Sequence, residues 1–473
     1  IEKMGGITLS TGKTLWEYYQ TYQGPFLEAL YIMERNGCGV DLGFIDNAIK
    51  NVAKRVEEVE YCIAKVIGRP LKWPLPDLLG STQQLGTLLY DERKLRCMRY
   101  TNGEECGTCR RKITARDKNG CPRHPNDMPV KSRSTDDKAL APHVARGDVL
   151  CQQILIWRGL QMRDKEMRRI KDAHIPATGR VHTGYNAGGA GTGRLSSSDP
   201  FNLQNLSNPN KLLGLDFNAR DAFVADPGNT FIDYDESQVE PRVWAHLSGD
   251  PTMVSAFCSG SDFHTMTARA VYGLACSDAE VKTLHKDKRS RAKEGNLADT
   301  YGATARTVAN ALGCPVPEAE HFQTSKRIAF PRAYKFLNER VAFARKHGYV
   351  ETIGGWRAWV PDINHDTEYR RAEGERRAQN YAIQGSAAFI LQVAIMKILG
   401  VGHYANEKAE RLRELGTKLS IQVHDELAGE TPAGTEDEAS GIIRGFMERP
   451  FDQELRVPLV AEEGRGRSWG SAK

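Results

Sequence analysis

Two short apolar runs, far apart in the chain, both end in acids. The first is Phe231-Ile232-Asp233-Tyr234-Asp235-Glu236-Ser237-Gln238-Val239-Glu240. The second is Ser420-Ile421-Gln422-Val423-His424-Asp425-Glu426-Leu427. β-branched and aromatic residues favour a strand in each run, and a sheet would hold the terminal carboxylates rigidly. Two such carboxylate sites brought together can hold two divalent cations about 3.5–4 Å apart, the arrangement used for in-line phosphoryl displacement. Either run alone also reads as an ordinary strand terminus or turn.

A third segment, Arg289-Ser290-Arg291-Ala292-Lys293-Glu294-Gly295-Asn296-Leu297-Ala298-Asp299-Thr300-Tyr301-Gly302, narrows the chemistry. Arg289, Lys293, Leu297 and Tyr301 recur every fourth residue and form one stripe on a helix. Two fixed cations suit a triphosphate, and the apolar and aromatic end suits a sugar and base. The competing reading is an amphipathic helix whose apolar end is core.

The 473 residues carry 65 Lys and Arg against 60 Asp and Glu, a formal charge of +5, which excludes a polycationic tail protein. Hydrophobic residues at 40% and charged residues at 26% are ordinary for a globular protein, and the length suits about three domain-sized units or one large enzyme with subdomains. No uninterrupted apolar run approaches the roughly 20 residues of a membrane helix. The opening Ile1-Glu2-Lys3-Met4-Gly5-Gly6 is neither a signal nor a transit peptide, and an upstream segment is expected before it. Ten cysteines in a chain of this length do not read as a disulfide scaffold, so a reducing, cytoplasmic compartment is expected.

Charge is uneven. Arg93 to Arg133 holds twelve Lys and Arg and four Asp and Glu, a local +8. This Gly-, Asn- and Cys-rich stretch has little helical or strand periodicity and reads as an insertion. Within it, Cys106-x2-Cys109 and Cys121-x2-His124 fit a structural zinc site, with Cys97 as a spare ligand. The bland reading is a loop with reduced thiols. Around the insertion, Phe44–Ile67 has helical spacing, Ser81 and Ser134–Asp137 open short helices, and Val149–Ile170 is a long helix expected to end in a cationic face of Arg163, Lys165, Arg168 and Arg169. From Val181 on, strands at Thr230–Tyr234, Tyr349–Ile353 and Leu419–Val423 alternate with helical stretches, an α+β pattern. There are no internal repeats.

Together the three chemical segments resemble motifs A, B and C of family A DNA polymerases, the bacterial DNA polymerase I type. Thr192-Gly193-Arg194-Leu195-Ser196-Ser197 with Asn202-Leu203-Gln204-Asn205 is similar to the family's primer–template segment, and Asp262-Phe263-His264 to its fingers histidine. Gly348-Tyr349-Val350-Glu351-Thr352 through Pro361-Asp362-Ile363 resembles a fingers hairpin. Arg376, Asn380 and Gln384 fit the minor-groove helix, and Val457-Pro458-Leu459 through Ser468-Trp469 the C-terminal segment. The resemblance covers nearly the whole chain, in order.

It implies a right-hand α+β fold with an antiparallel-sheet palm, helical fingers and helical thumb. The palm would be residues 1–43, 181–250 (motif A) and 366–473 (motif C); the thumb 44–180, with its insertion at about 93–133; the fingers 251–365 (motif B). The implied activity is DNA-templated DNA polymerisation from a primer 3′-hydroxyl, releasing pyrophosphate, in replication or repair. Asp235 and Asp425 would ligate two Mg²⁺ ions with the Glu236 carbonyl, and Glu426 would support them. His264, Arg289 and Lys293 would grip the triphosphate, Leu297 and Tyr301 would face the nucleotide, and Glu240 would exclude the ribose 2′-hydroxyl. Arg194, Gln238, Arg376, Asn380, Gln384 and His424 would contact DNA. The zinc-pinned insertion would lie at the thumb tip and add phosphate contacts.

Three departures stand out. Leu297 replaces the family's Phe or Tyr and Ala298 its Gly, Pro241 follows Glu240 where Leu is usual, and the Asp233–Glu236 run is more acidic. Such variation suits a phage-type enzyme. Pro241 requires that the strand has already ended. Expected partners are primer–template DNA and dNTPs, with no membrane. The chain should act as a monomer, with an upstream exonuclease or helicase/primase module or replisome proteins as candidate associates. No segment upstream of the thumb reads as a proofreading exonuclease or 5′-nuclease. Against a single-subunit RNA polymerase stand Glu240 and His424-Asp425-Glu426. The intact cations and acids argue against an inactive DNA-binding or recombination factor, and a metal-dependent nuclease has no use for the phosphate-facing helix.

Overall fold

The first acid-ended run forms a strand, Asn229–Glu236, that continues through its acids instead of stopping before them. The computed structural model describes residues 4, 6–9, 11–69, 75–110, 112–113, 124, 129–207, 210–299 and 302–473, without the side chains of 102, 103, 112, 113 and 129. The strand is central in a four-stranded antiparallel sheet. Its order is Lys418–Val423, Glu426–Pro432, Asn229–Glu236, Ala461–Gly466. Residues paired across neighbouring strands share a face. The register pairs Tyr234 with Leu427 and Glu236 with Ala461, which puts Ile232, Tyr234, Leu427 and Ala461 on one face. That face packs into a core with Val393, Ile443 and Met447. The same register pairs Asp235 with both Glu426 and Glu462, so the opposite face carries acids on three adjacent strands.

Contacts divide the chain into two compact units. The larger holds Ile1–Val40, Ala173–Asn205 and Phe223–Lys473. Besides the sheet it contains the helix Glu368–Leu399, a second core around Trp244, Phe257, Phe263 and Phe330, and a smaller one around Val308 and Phe322. The hairpin Tyr349–Glu351 with Arg357–Trp359 belongs here. By length and composition the Glu368–Leu399 helix could cross a membrane, although Gln384, Gly385, Ser386, Gln392 and Lys397 keep it from being an uninterrupted apolar run. Its apolar window is 72% buried within the fold, as in a core helix.

The smaller unit is Asp41–Asp172 with Leu206–Ala222. Its long helices, Leu42–Ile67 and Val149–Ala173, bury Val52, Val59, Ile63, Leu150, Ile154 and Leu160 in one core. Asp41, Ser81 and Asp136 cap helices by accepting from backbone N–H groups. The expected cationic face is only partly present. Arg163 is buried and pairs with Glu166 at 2.7 Å, and Arg168 pairs with Asp164 at 2.8 Å. The insertion is more ordered than its periodicity indicated. Tyr100–Cys106, Lys112–Ile113 and Pro129–Arg133 form a three-stranded antiparallel sheet. Charges scattered along these short strands hide the alternation that would announce them. Arg133 anchors the sheet with two bonds to Asp91, at 2.7 and 2.8 Å.

Candidate active site

The second acid run folds as a hairpin. Val423 and Glu426 are paired, and His424-Asp425 is the two-residue turn between them. His424 takes φ 59°, the left-handed conformation such tight turns require. This turn sets half-buried Asp425 at the end of the central strand, where its carbonyl accepts from the Glu236 N–H at 3.1 Å. Burial raises the Asp235 carboxyl to about 6; Asp425, Glu426 and Glu462 push the same way and Lys473 opposes them. Clustered, partly desolvated carboxylates of this kind are relieved by a cation.

Glu426 and Glu236 play different parts from Asp235 and Asp425. Glu426 is buried. It accepts from Trp469 Nε1 and pairs with Lys473 Nζ at 2.7 Å, so the C-terminal segment neutralises it. Glu236 is also buried. Both its carboxyl oxygens lack a hydrogen-bond partner among the described residues, and burial, chiefly, raises it well above the usual carboxylate range. Its backbone N–H donates to Asp425 O, and the charges of Asp425 and Asp235 add to the rise. Two carboxylates and a carbonyl suit an open Mg²⁺ site, which takes one or two protein acids and leaves its other positions to water and phosphates.

Beyond the strand, Val239–Ser248 is a helix, so Pro241 falls in its first turn, where no intrahelical N–H is needed. Gln238, at φ 54°, caps the approach, and its side chain accepts from the Phe263 N–H at 2.8 Å. A residue expected to contact DNA thus ties the acid strand to the helix that carries His264. Glu240 is ion-paired with Arg194; burial raises its carboxyl although Arg194 pulls it down. Arg194 is held close by the Glu368–Leu399 helix. Gly385 lets that helix approach, since a Cβ there would stand 2.6 Å from Thr192 O, and Gln392 Nε2 donates to Gly193 O at 2.9 Å. Gln204, from the same primer–template-like segment, donates to Gln422 O and Oε1 at 3.2 and 3.1 Å.

The cationic stripe lies on the helix Lys286–Asp299. Arg289 reaches Thr265 Oγ1 at 3.1 Å and Asp262 at 3.2 Å. Lys293 and Leu297 are exposed, Leu297 at 66%, so the helix offers an open surface there and not a core face. Tyr301 lies outside the described residues. His264 Nδ1 stands 3.2 Å from Asn296 Nδ2. Burial lowers its imidazole to about 4, with Arg289, Lys293 and Lys326 adding to the effect against the pull of Asp262. It is therefore neutral at pH 7, with Nδ1 accepting and Nε2 carrying the proton. Below the stripe, Asp299 binds Lys326 and Gln323, both at 2.7 Å, and Tyr334 at 3.0 Å, and Lys326 is fully buried.

On the Glu368–Leu399 helix, Arg376 pairs with Glu373 at 2.6 Å, while Asn380 Oδ1 has no partner among the described residues. Gln384 is half-buried and His424 exposed. Sequence reasoning missed Glu462, Lys473, Asn296 and the Asp299–Lys326 pair. Strand pairing reveals Glu462, and Asn296 and Asp299 sit within a quoted motif, but nothing in sequence links Lys473 to Glu426.

The sheet of acids, the helix with its cationic stripe and the separate helical unit define a right-hand polymerase domain of the α+β class. The DNA polymerase family A model matches residues 44–471, and the chain belongs to that family. It is 31% identical over 469 residues to the thermostable DNA polymerase I of Thermus thermophilus and 33% over 470 to that of Thermus filiformis, covering 98% of this chain and 49% of each relative. Deinococcus radiodurans DNA polymerase I is 31% identical over 456 residues, 96% of this chain and 42% of that one. The chain thus spans about half the length of the curated relatives it matches. A solved structure, the POL domain of Pol1 from M. smegmatis in complex with DNA primer-template and dNTP, superposes with a TM-score of 0.77 at 29% identity, covering 95% of this chain and 70% of that one. These relatives are bacterial enzymes and lend the phage-type expectation no support.

Proposed function

We propose that the chain is a DNA-directed DNA polymerase that adds deoxynucleotides to a primer 3′-hydroxyl. The observation that carries the reading is the convergence of Asp235 and Asp425 at one end of the central strand, with Gln238 linking that strand to the helix bearing His264. Asp235, Asp425 and the Glu236 carbonyl would hold divalent cations, Mg²⁺ by the hardness of the oxygen donors. When bound, these would supply Lewis-acid stabilisation and lower the pKa of the attacking hydroxyl.

The side chains have separate tasks. Arg289 and Lys293 bind the triphosphate, and neutral His264 donates from Nε2 to a phosphate oxygen, its ring fixed by Asn296. Glu240, held by Arg194, occupies the ribose 2′ position and disfavours ribonucleotides. Arg194, Arg376, Asn380, Gln384 and His424 read primer and minor-groove geometry, and the unpartnered Asn380 Oδ1 is an acceptor ready for a base-edge donor. Gln238 is assigned to positioning the His264 helix and Glu426 to buried support. Palm, fingers and thumb are assigned to the segments expected from the sequence, except that the thumb is taken as the smaller unit, Asp41–Asp172 with Leu206–Ala222, and proofreading is not assigned to this chain.

Primer extension on a DNA template with Mg²⁺, comparing dNTPs with rNTPs, tests the reading. Templated deoxynucleotide addition that requires Asp425 and strongly disfavours rNTPs is expected. A folded protein that binds primer–template without extending it contradicts the assignment, as does equal use of rNTPs.

A further inference from the structure

The polymerase chemistry makes no use of the cysteine cluster in the insertion. Among the described residues, the one group of three or more His, Cys, Asp or Glu side chains whose donor atoms all lie within 4.8 Å of one another is Cys106, Cys109 and His124. We propose that these three side chains form a structural zinc site that staples the insertion.

The distances fit a tetrahedral centre. With Zn–S near 2.3 Å and Zn–N near 2.0–2.1 Å, the edge between a sulfur and a nitrogen ligand is about 3.6 Å. Cys106 Sγ lies 3.5 Å from His124 Nδ1. The local backbone is shaped for a thiolate. The Cys109 N–H points at Cys106 Sγ from 3.4 Å, and the Arg110 N–H closes a turn onto Cys106 O at 3.0 Å, with Arg110 in the left-handed conformation at φ 59°. An N–H aimed at a ligand sulfur stabilises its anionic form and fixes its direction. Cys106 is fully buried, while Cys109 and His124 are half-buried. Cys97, the spare candidate, donates instead to Arg99 O at 3.0 Å and packs against the helical core.

The donor set selects the metal class. Thiolate and imidazole together suit zinc, whereas Mg²⁺ and Ca²⁺ require oxygen. The spacing Cys121-x2-His124 supplies a fourth ligand in sequence; Cys121 lies outside the described residues. The need for a staple is structural. Strands of seven, two and five residues make a sheet too small to be stable by itself. Cys106 ends the first of them, opposite Pro129 of the third, so a metal there closes the sheet at its open end.

The test is metal content of the full chain purified under reducing conditions without chelator, followed by Co²⁺ substitution. About one zinc per chain is expected, with thiolate-to-cobalt charge-transfer bands on substitution. Cys106→Ser and His124→Ala should lose most of the metal, while Cys62→Ser, at an exposed cysteine outside the cluster, keeps it. Stripping zinc from the wild-type protein should open the 93–133 segment to protease, a readout that does not depend on the variants folding. Protein that holds no metal and stays silent to Co²⁺ with its thiols reduced overturns the proposal, as does zinc retained undiminished in Cys106→Ser. Metal content is read without polymerase activity, so failure here leaves the polymerase reading intact, and failure there leaves this one.

Discussion

The palm acids and the insertion cysteines are the two cation sites proposed for this chain, and they differ in how the chain holds them. Asp235 and Asp425 meet through long-range register. Glu426 pairs with Asp235 across the sheet, and the two-residue turn before it places Asp425. Cys106, Cys109 and His124 meet through short spacings at the end of one small sheet. The first, as proposed, would offer few protein ligands and so stay open to substrate. The second, as proposed, would hold its metal with protein thiolate and imidazole donors for structure and not for chemistry. An open site needs a rigid frame supplied from elsewhere, whereas a closed one supplies the rigidity itself.

The comparison can be broken most forcefully at the open site. Asp425→Ala should lower the single-turnover rate of nucleotide addition by about 10³-fold or more, roughly 4 kcal/mol of transition-state stabilisation. The same variant should leave zinc content unchanged. Almost as large an effect is expected in the frame. Lys326→Met leaves Asp299 buried without its cation and should cost about 3–5 kcal/mol in urea unfolding. Adding Asp299→Asn should recover much of that loss, which a simple cavity effect would not allow. Arg289→Ala should raise the KM for dNTP by about 10- to 100-fold, the worth of a charge-assisted contact, with circular dichroism showing the helix intact.

The acid pair also sets a pH dependence. The folded Asp235 titrates at about 6, above the ordinary carboxylate value. The metal-free folded state therefore holds a proton that the unfolded chain has released, and its stability falls as pH rises through 6. Divalent cations compete with that proton. Their affinity, measured by Mn²⁺ titration, should drop by up to about tenfold per pH unit below 6 and level off above it. The smallest change expected is at Leu297. Leu297→Phe restores a flat ring on the exposed stripe and should lower the dNTP KM by about two- to fivefold. An unchanged KM would remove Leu297 from the nucleotide surface.

Much of this was legible in the sequence, for reasons that differ by region. The helix expected at Phe44–Ile67 runs from Leu42 to Ile67 because one apolar stripe and the Asp41 cap specify it. The acid strands were readable because apolar alternation survives beside their carboxylates, and the family resemblance, registered on Ser237-Gln238-Val239-Glu240, points to Asp235 over Asp233. The small sheet of the insertion was not, since strands of two to seven residues with charges interspersed carry no usable period. Arg163 looked like surface charge, but its partner Glu166 lies on the same helix and lets the pair be buried. Glu462 and Lys473 were invisible because only tertiary register brings them beside Asp235 and Glu426.

The most direct measurement is a double-mutant cycle on Asp235→Asn and Asp425→Asn in single-turnover primer extension. If both carboxylates serve one centre, each single variant should lose about 10³-fold or more, and the double should lose little beyond either. Multiplying losses, or one single variant near wild-type rate, would contradict the account.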